Sequence, residues 1–232
     1  MKKLRAELEK LADEKYRNFS AKLLPKTEKL IGVRIPELRK LAKRATAENW
    51  ELSSDDTFEE TMVAALALAY EKLPPDEKSA RMEAFLPRIK NWSVCDSFCE
   101  TLKIDESEKA QYFALVQKYI DSKDEFSCRV AYVMLLAHFA ERGYLDFALS
   151  HFEKFDNPHY YAQMACAWCA ATFLAKFPAE LADFLLSDRM RDKKALQMAR
   201  QKVRDSFRTP PEIKARFAET RGARKRTKRG RG

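Results

Sequence analysis

The sequence reads as an all-α protein, and three observations carry that expectation. Apolar residues recur at helical spacing between short polar turns, strand-type alternation is absent, and glycine is nearly missing from most of the chain. Of five glycines, Gly222, Gly230 and Gly232 lie in the tail, which leaves Gly32 and Gly143 for residues 1 to 220. A β-sandwich or a doubly wound α/β fold needs glycine at many turns and phosphate loops, so two glycines in this stretch argue against both. The absence of a Gly-rich loop also argues against P-loop or dinucleotide-binding chemistry.

Helix starts and stops can be placed in order. Asp56 with Glu59 and Thr57 with Glu60 form overlapping capping boxes ahead of the apolar run MVAALALAY. Pro74-Pro75-Asp76 closes that helix and opens the next, with proline in the first turn. Asp105 with Glu108 starts a helix through Tyr119, and Asn157-Pro158 starts one that runs to about Lys176. Thr209-Pro210-Pro211-Glu212 is a further capping pattern before a short final helix. Pro25, Pro36, Pro87 and Pro178 sit at helix borders, where proline is tolerated.

About eleven or twelve helices are expected, pairing up every 35 to 40 residues or so, the period of HEAT-like α-solenoids. An irregular helical bundle satisfies the same spacing. Helix 125–141 is expected to bury Phe126, Val130, Val133, Met134 and Ala137 on one face. In helix 160–176 the expected stripe is Tyr161, Met164, Ala165, Trp168, Thr172 and Ala175.

Charge is unevenly distributed. The chain carries 44 Lys+Arg against 35 Asp+Glu, for a formal charge of +9. Residues 221–232 hold seven of those cations and no acid, which leaves 37 against 35 in residues 1–220. The expected organisation is a single near-neutral domain, 1–220, followed by a disordered basic tail, 221–232, that binds polyanions without sequence preference. No apolar run reaches the roughly 18 residues needed to span a bilayer, and the N-terminus lacks a signal-peptide core. Five cysteines, an odd number within apolar segments, suit buried thiols in a reducing cytoplasm.

Candidate chemistry gathers on a few helices. In NWSVCDSFCETL, residues 91–102, Cys95, Phe98, Cys99 and Leu102 form the core stripe, with Trp92 and Asp96 on its flank. Arg129 follows Asp96 by 33 residues, and Trp168 follows Arg129 by 39. On a repeat of that length the four occupy comparable positions on three successive helices, which in a solenoid line one concave surface. Indole faces and a carboxylate suit a cationic or electron-poor aromatic ligand, and an arginine suits phosphate. Taken singly, each has an ordinary reading as a packed indole or a solvated acid. Arg39 and Lys43, one turn apart in GVRIPELRKLAKR, can straddle a phosphate backbone or form a solvated face. Cys166-Ala167-Trp168-Cys169 falls mid-helix with no strand nearby, unlike a thioredoxin motif, and lacks the second ligand pair of a zinc site. His138, His151 and His159 show no metal-type spacing.

GVRIPELRKLAKR, NWSVCDSF, the arginine of SCRVAYVMLL and the tryptophan of YAQMACAWCAATFLAKFP together resemble the AlkD-like DNA alkylation repair proteins, over about residues 5 to 207. The resemblance implies a right-handed α-solenoid of HEAT-like helical hairpin repeats. It also implies a DNA glycosylase that excises positively charged N3- or N7-alkylated purines from double-stranded DNA, with no metal or organic cofactor. Such a protein would act as a cytoplasmic monomer, on the bacterial nucleoid and away from membranes. On that resemblance Asp96 matches the catalytic carboxylate, Trp92 and Trp168 the indoles flanking the lesion's deoxyribose, and Arg129 an arginine that holds the backbone. Arg39 and Lys43 match cations that contact DNA. The chain departs from the family in Asn91 and Ser93 beside Trp92, in Ala171 where an arginine is common, and in a short N-terminal region before Gly32. A non-catalytic HEAT-like DNA-binding protein and a helical-repeat scaffold for a protein partner are the alternative functions.

Overall fold

The structure, a computed structural model, describes residues 2–25, 28–53 and 56–218. The basic tail expected at 221–232 lies outside the described residues. Every regular element among them is a helix. The chain divides into two compact units, residues 1–115 and residues from 116 onward. The first holds α1 (Lys2–Lys10), α2 (Glu14–Ser20), α3 (Ile35–Ala47), α4 (Phe58–Tyr70), α5 (Pro75–Phe85) and α6 (Trp92–Thr101). α7 (Lys109–Tyr119) straddles the boundary, and α8 (Glu125–His138), α9 (Leu145–Lys154), α10 (Tyr160–Lys176), α11 (Pro178–Leu186) and α12 (Lys193–Asp205) follow. A thirteenth helix, α13, covers 211–218, one or two more than the sequence predicts.

The helical repeat is written in the caps. α4, α6, α8, α10 and α12 have N-cap residues Thr57, Asn91, Asp124, His159 and Asp192, successive steps of 34, 33, 35 and 33 residues. Four of these side chains accept a hydrogen bond from the first turn of their helix, satisfying donors that the helix itself cannot. At α10 the cap is displaced: His159 makes no side-chain bond, and Asn157 Oδ1 accepts from the His159 N–H at 3.0 Å instead.

In the first unit α4 is buried from Phe58 to Ala69, and α3 and α6 pack on it. The capping box forms between Thr57 and Glu60, not between Asp56 and Glu59. Glu59 turns back instead, and its buried carboxylate accepts the N–H groups of Ile31, Gly32 and Val33 at 3.0, 2.7 and 3.3 Å. Glu60 also receives a two-pronged bond from Arg5 at 2.9 and 2.7 Å, which ties α1 to α4. Lys78, also buried, donates to the carbonyls of Ala69 and Glu71 at 2.8 and 2.7 Å and so closes the C-terminus of α4. Burial pulls its pKa below the usual lysine value, with Glu71 and Glu108 opposing.

In the second unit α10 lies between α8 and α12. Glu125 Oε1 accepts from the Tyr161 N–H at 2.7 Å, and Gln163 Nε2 donates to Asp192 Oδ2 at 2.9 Å. At the other end Lys176 Nζ donates to the Ala140 carbonyl at 2.8 Å. These bonds fix α8, α10 and α12 as parallel neighbours with their N-termini at one end. Phe152 stands edge-on to Phe173 at 5.9 Å and stacks on Tyr132 at 6.3 Å, contacts worth roughly 0.5–1.5 kcal/mol each beyond their buried area.

Two predicted faces need correction. On α8, Val130, Val133 and Met134 are buried, but Ala137 is exposed in the last turn and Phe126 is only half-buried. On α10 the stripe Tyr161, Met164, Trp168, Thr172 and Ala175 is half-exposed, with Ala165 alone of the predicted set buried. The core of α10 is the rest of its circumference, including Cys166, Cys169, Ala170, Phe173 and Leu174. The predicted core stripe of α6 holds: Cys95, Phe98, Cys99 and Leu102 are all buried.

Candidate nucleic-acid interface

Within the first unit the Asn91 cap sets the start of α6. Its Oδ1 accepts from the Val94 N–H at 2.9 Å, and its Nδ2 donates to Glu28 Oε1 at 3.0 Å. Trp92 is therefore the first residue of the helix, and its indole N–H donates to the Leu23 carbonyl at 3.0 Å. Asp96 lies one turn on, half-exposed like Trp92. Glu100 lies one turn further along the same side. Glu100 is exposed, yet protein packed on one side of its carboxyl takes away water and pushes it above its usual range, the charge of Asp96 adds to this, and Arg39 opposes it.

Arg39 reaches this row from α3. Its guanidinium donates to Thr101 Oγ1 at 2.7 Å and to the Tyr70 hydroxyl at 3.3 Å. Lys43, a turn later and exposed, places its ammonium 5.3 Å from the centre of the Tyr70 ring. Along α6 the first unit thus carries an anchored indole at the N-terminal end and two neighbouring carboxylates further on, with Arg39 of α3 at the C-terminal end and Lys43 over Tyr70. Carboxylates a turn apart make a place where positive charge is favoured, and the cations beside them suit phosphate.

Within the second unit Arg129 is 4% exposed and its Nη1 donates to the Tyr161 carbonyl at 2.9 Å. Its guanidinium carbon lies 5.9 Å from the centre of the Tyr161 ring. Glu125 and Arg129, one turn apart, thereby hold both the N–H and the C=O of one residue in the first turn of α10. Trp168 stands at the middle of the half-exposed stripe of α10, with the Lys202 ammonium 5.9 Å from its ring centre. Trp168, Thr172 and Ala175 form one wall of an open cavity of about 440 Å³ lined on its other side by Lys202 and the 205–208 turn.

The model of the DNA alkylation repair enzyme family matches residues 4–209, nearly nine-tenths of the chain. The chain belongs to that family. No curated protein and no solved structure matches it. Membership assigns the chain a role in DNA alkylation repair, with DNA as its partner. No helix among the described residues is long and apolar enough to cross a membrane.

Glu100, Thr101 and Tyr70 were not singled out from the sequence, nor were Lys202 and Phe207. Glu100 alone had a signal, its four-residue spacing from Asp96. Thr101 lies on α6 itself beside Glu100, and Tyr70, Lys202 and Phe207 come from other parts of the chain that only the fold brings near. All five cysteines are buried. Burial pushes the Cys128 thiol up to about 12 and those of Cys166 and Cys169 well above the usual thiol value, so these sulfurs stay protonated and inert. No group of three or more His, Cys, Asp or Glu that could hold a metal ion occurs among the described residues.

Proposed function

We propose that this member of the family is a DNA glycosylase that excises N3- or N7-alkylated purines from duplex DNA. The observation that supports this best is the pairing of Trp92 and Asp96. They lie one turn apart on α6 and half-exposed, with the indole held in place by the Leu23 carbonyl. N-alkylation gives the purine a positive charge and makes it a good leaving group. As the glycosidic bond breaks, positive charge moves onto the sugar, where the Asp96 carboxylate and an aromatic face stabilise it. Asp96 then orients the water that adds to the sugar carbon. Trp168, on the open face of α10, is assigned the second indole contact to a deoxyribose. Arg39 and Lys43 are assigned to the DNA backbone. Arg129 takes the same role if its guanidinium exchanges the Tyr161 carbonyl for phosphate. The chemistry calls for no metal or organic cofactor, and the protein acts as a monomer. Residues 221–232 add salt-sensitive attraction to DNA, so deleting them weakens binding most at low salt.

Two observations favour a second reading, a non-catalytic binder of damaged or bent DNA: Arg129 is engaged by Tyr161, and Ala171 is buried where an arginine is common. Release of 7-methylguanine from methylated duplex DNA by the wild type and by Asp96→Asn separates the two. Release by the wild type and its loss in Asp96→Asn supports the glycosylase. No release by the wild type leaves the binder, and equal release by both removes Asp96 from the chemistry.

A further inference from the structure

Beside Trp168 the chain makes a second aromatic surface that the proposed chemistry does not use. Phe207 follows α12 in the turn that lines this open cavity, and its side chain is fully exposed, at 102% of the reference area. A phenyl ring that stands clear of the packing offers a flat apolar face on which another ring can stack. The surroundings are cationic. Lys202 stands over Trp168, the Lys214 ammonium lies 5.8 Å from the centre of the Phe207 ring, and Arg208 lines the same cavity. Asp205, an acid in the same lining, accepts from the Gln201 amide at 2.7 and 2.9 Å. The cavity volume of about 440 Å³ falls in the range of small-ligand sites. Two aromatic rings and two cations lining one cavity, Trp168 and Phe207 with Lys202 and Arg208, are the kind of surface on which unstacked bases lie, each base on a ring and its phosphate on a cation.

We propose that the cavity between Trp168 and Phe207 takes up an unpaired nucleobase, with Phe207 as the stacking platform and Lys202 and Arg208 on the flanking phosphates. The site gives the protein a preference for DNA in which a base has already left the stack. The proposal rests on the DNA-binding part of the reading above but not on base excision.

The test is binding of the full chain to a matched duplex and to the same duplex with a single unpaired 2-aminopurine, at one fixed salt concentration. The wild type is expected to prefer the unpaired substrate and to quench its fluorescence. Phe207→Ala, at a position whose side chain is fully exposed, is expected to lose about tenfold in affinity for the unpaired substrate, within the range for one base–aromatic stack. Its affinity for matched duplex should stay within about twofold, because the backbone contacts are intact. Phe207→Trp should restore both preference and quenching. No preference in the wild type, or a preference unchanged in Phe207→Ala, overturns the proposal. In that case the matched-duplex affinity reports separately whether DNA binding itself survives. Failure of 7-methylguanine release with the preference intact removes the glycosylase and leaves the base pocket standing.

Discussion

The Arg129 guanidinium donates to the Tyr161 carbonyl at 2.9 Å, so a residue expected on DNA is part of the joint between α8 and α10. Buried, charged hydrogen bonds of this kind are worth more than neutral ones, and removing the donor strands the carbonyl. Arg129→Ala should therefore cost about 2–3 kcal/mol in urea unfolding. Arg129→Lys should recover only part of it, because an ammonium lacks the planar fork. A variant as stable as the wild type would show that Arg129 serves a ligand alone.

Glu100 makes stability at neutral pH worse. Its folded pKa lies above the ordinary 4.5, raised by burial and by Asp96. The folded state therefore holds the proton more tightly than the unfolded state does, and stability falls as pH rises from about 4.5 through the folded value. Glu100→Gln should raise the unfolding midpoint at pH 7, and the gain should vanish below about pH 4.5.

Glu7 has the opposite sign. Its bonds to Lys10 and Arg44 bring it down from 4.5 to about 2, so its contribution is complete above 4.5 and is lost as pH falls toward 2. Glu7→Gln should lower the midpoint at neutral pH and make little difference near pH 2.

Trp168 and Phe173 share α10 but not its surroundings. Phe173 is fully buried against Phe152, and Phe173→Ala should cost about 3–5 kcal/mol. Trp168 is half-exposed, so Trp168→Ala should cost about 1–2 kcal/mol despite the larger ring. Thermal melts of the two variants compare the costs directly. Equal losses would place Trp168 in the core and weaken its assignment to DNA.

Gly32 has φ +100, and a Cβ built there would come within 2.5 Å of the Asp13 carbonyl oxygen and 2.7 Å of Arg17 Cβ. Its own N–H and C=O are both used, by Glu59 and by the Asp13 N–H. Gly32→Ala should destabilise the first unit by about 3 kcal/mol, the upper end for backbone strain of this kind, measurable by chemical denaturation.

How much of this was legible in the sequence depends on where each signal comes from. The helical class and the boxes at Thr57–Glu60 and Asp105–Glu108 are local, and both boxes form. The pattern at Thr209 does precede a helix, yet its buried hydroxyl makes no hydrogen bond. The α6 stripe was readable because that helix has a polar side. α10 was not, because it is apolar nearly all round, and periodicity cannot tell which side of such a helix is open. Trp92 and Asp96 were placed correctly as neighbours on the flank of α6. The grip of Arg129 on Tyr161 spans 32 residues and left no trace in spacing.

The caps at 57, 91, 124, 159 and 192 also govern how this chain can change in length. Each residue turns a helix by about 100°, so one deletion between His159 and Trp168 would swing the indole off the open side of α10 and into the packing. Two kinds of length change leave every helix facing as it does now. One falls in the turns between helices. The other adds or removes a whole block of 33 to 35 residues, from one cap to the next. Relatives of different length should differ in those two ways, and loss of a single helical residue should be rare among those that keep the indole.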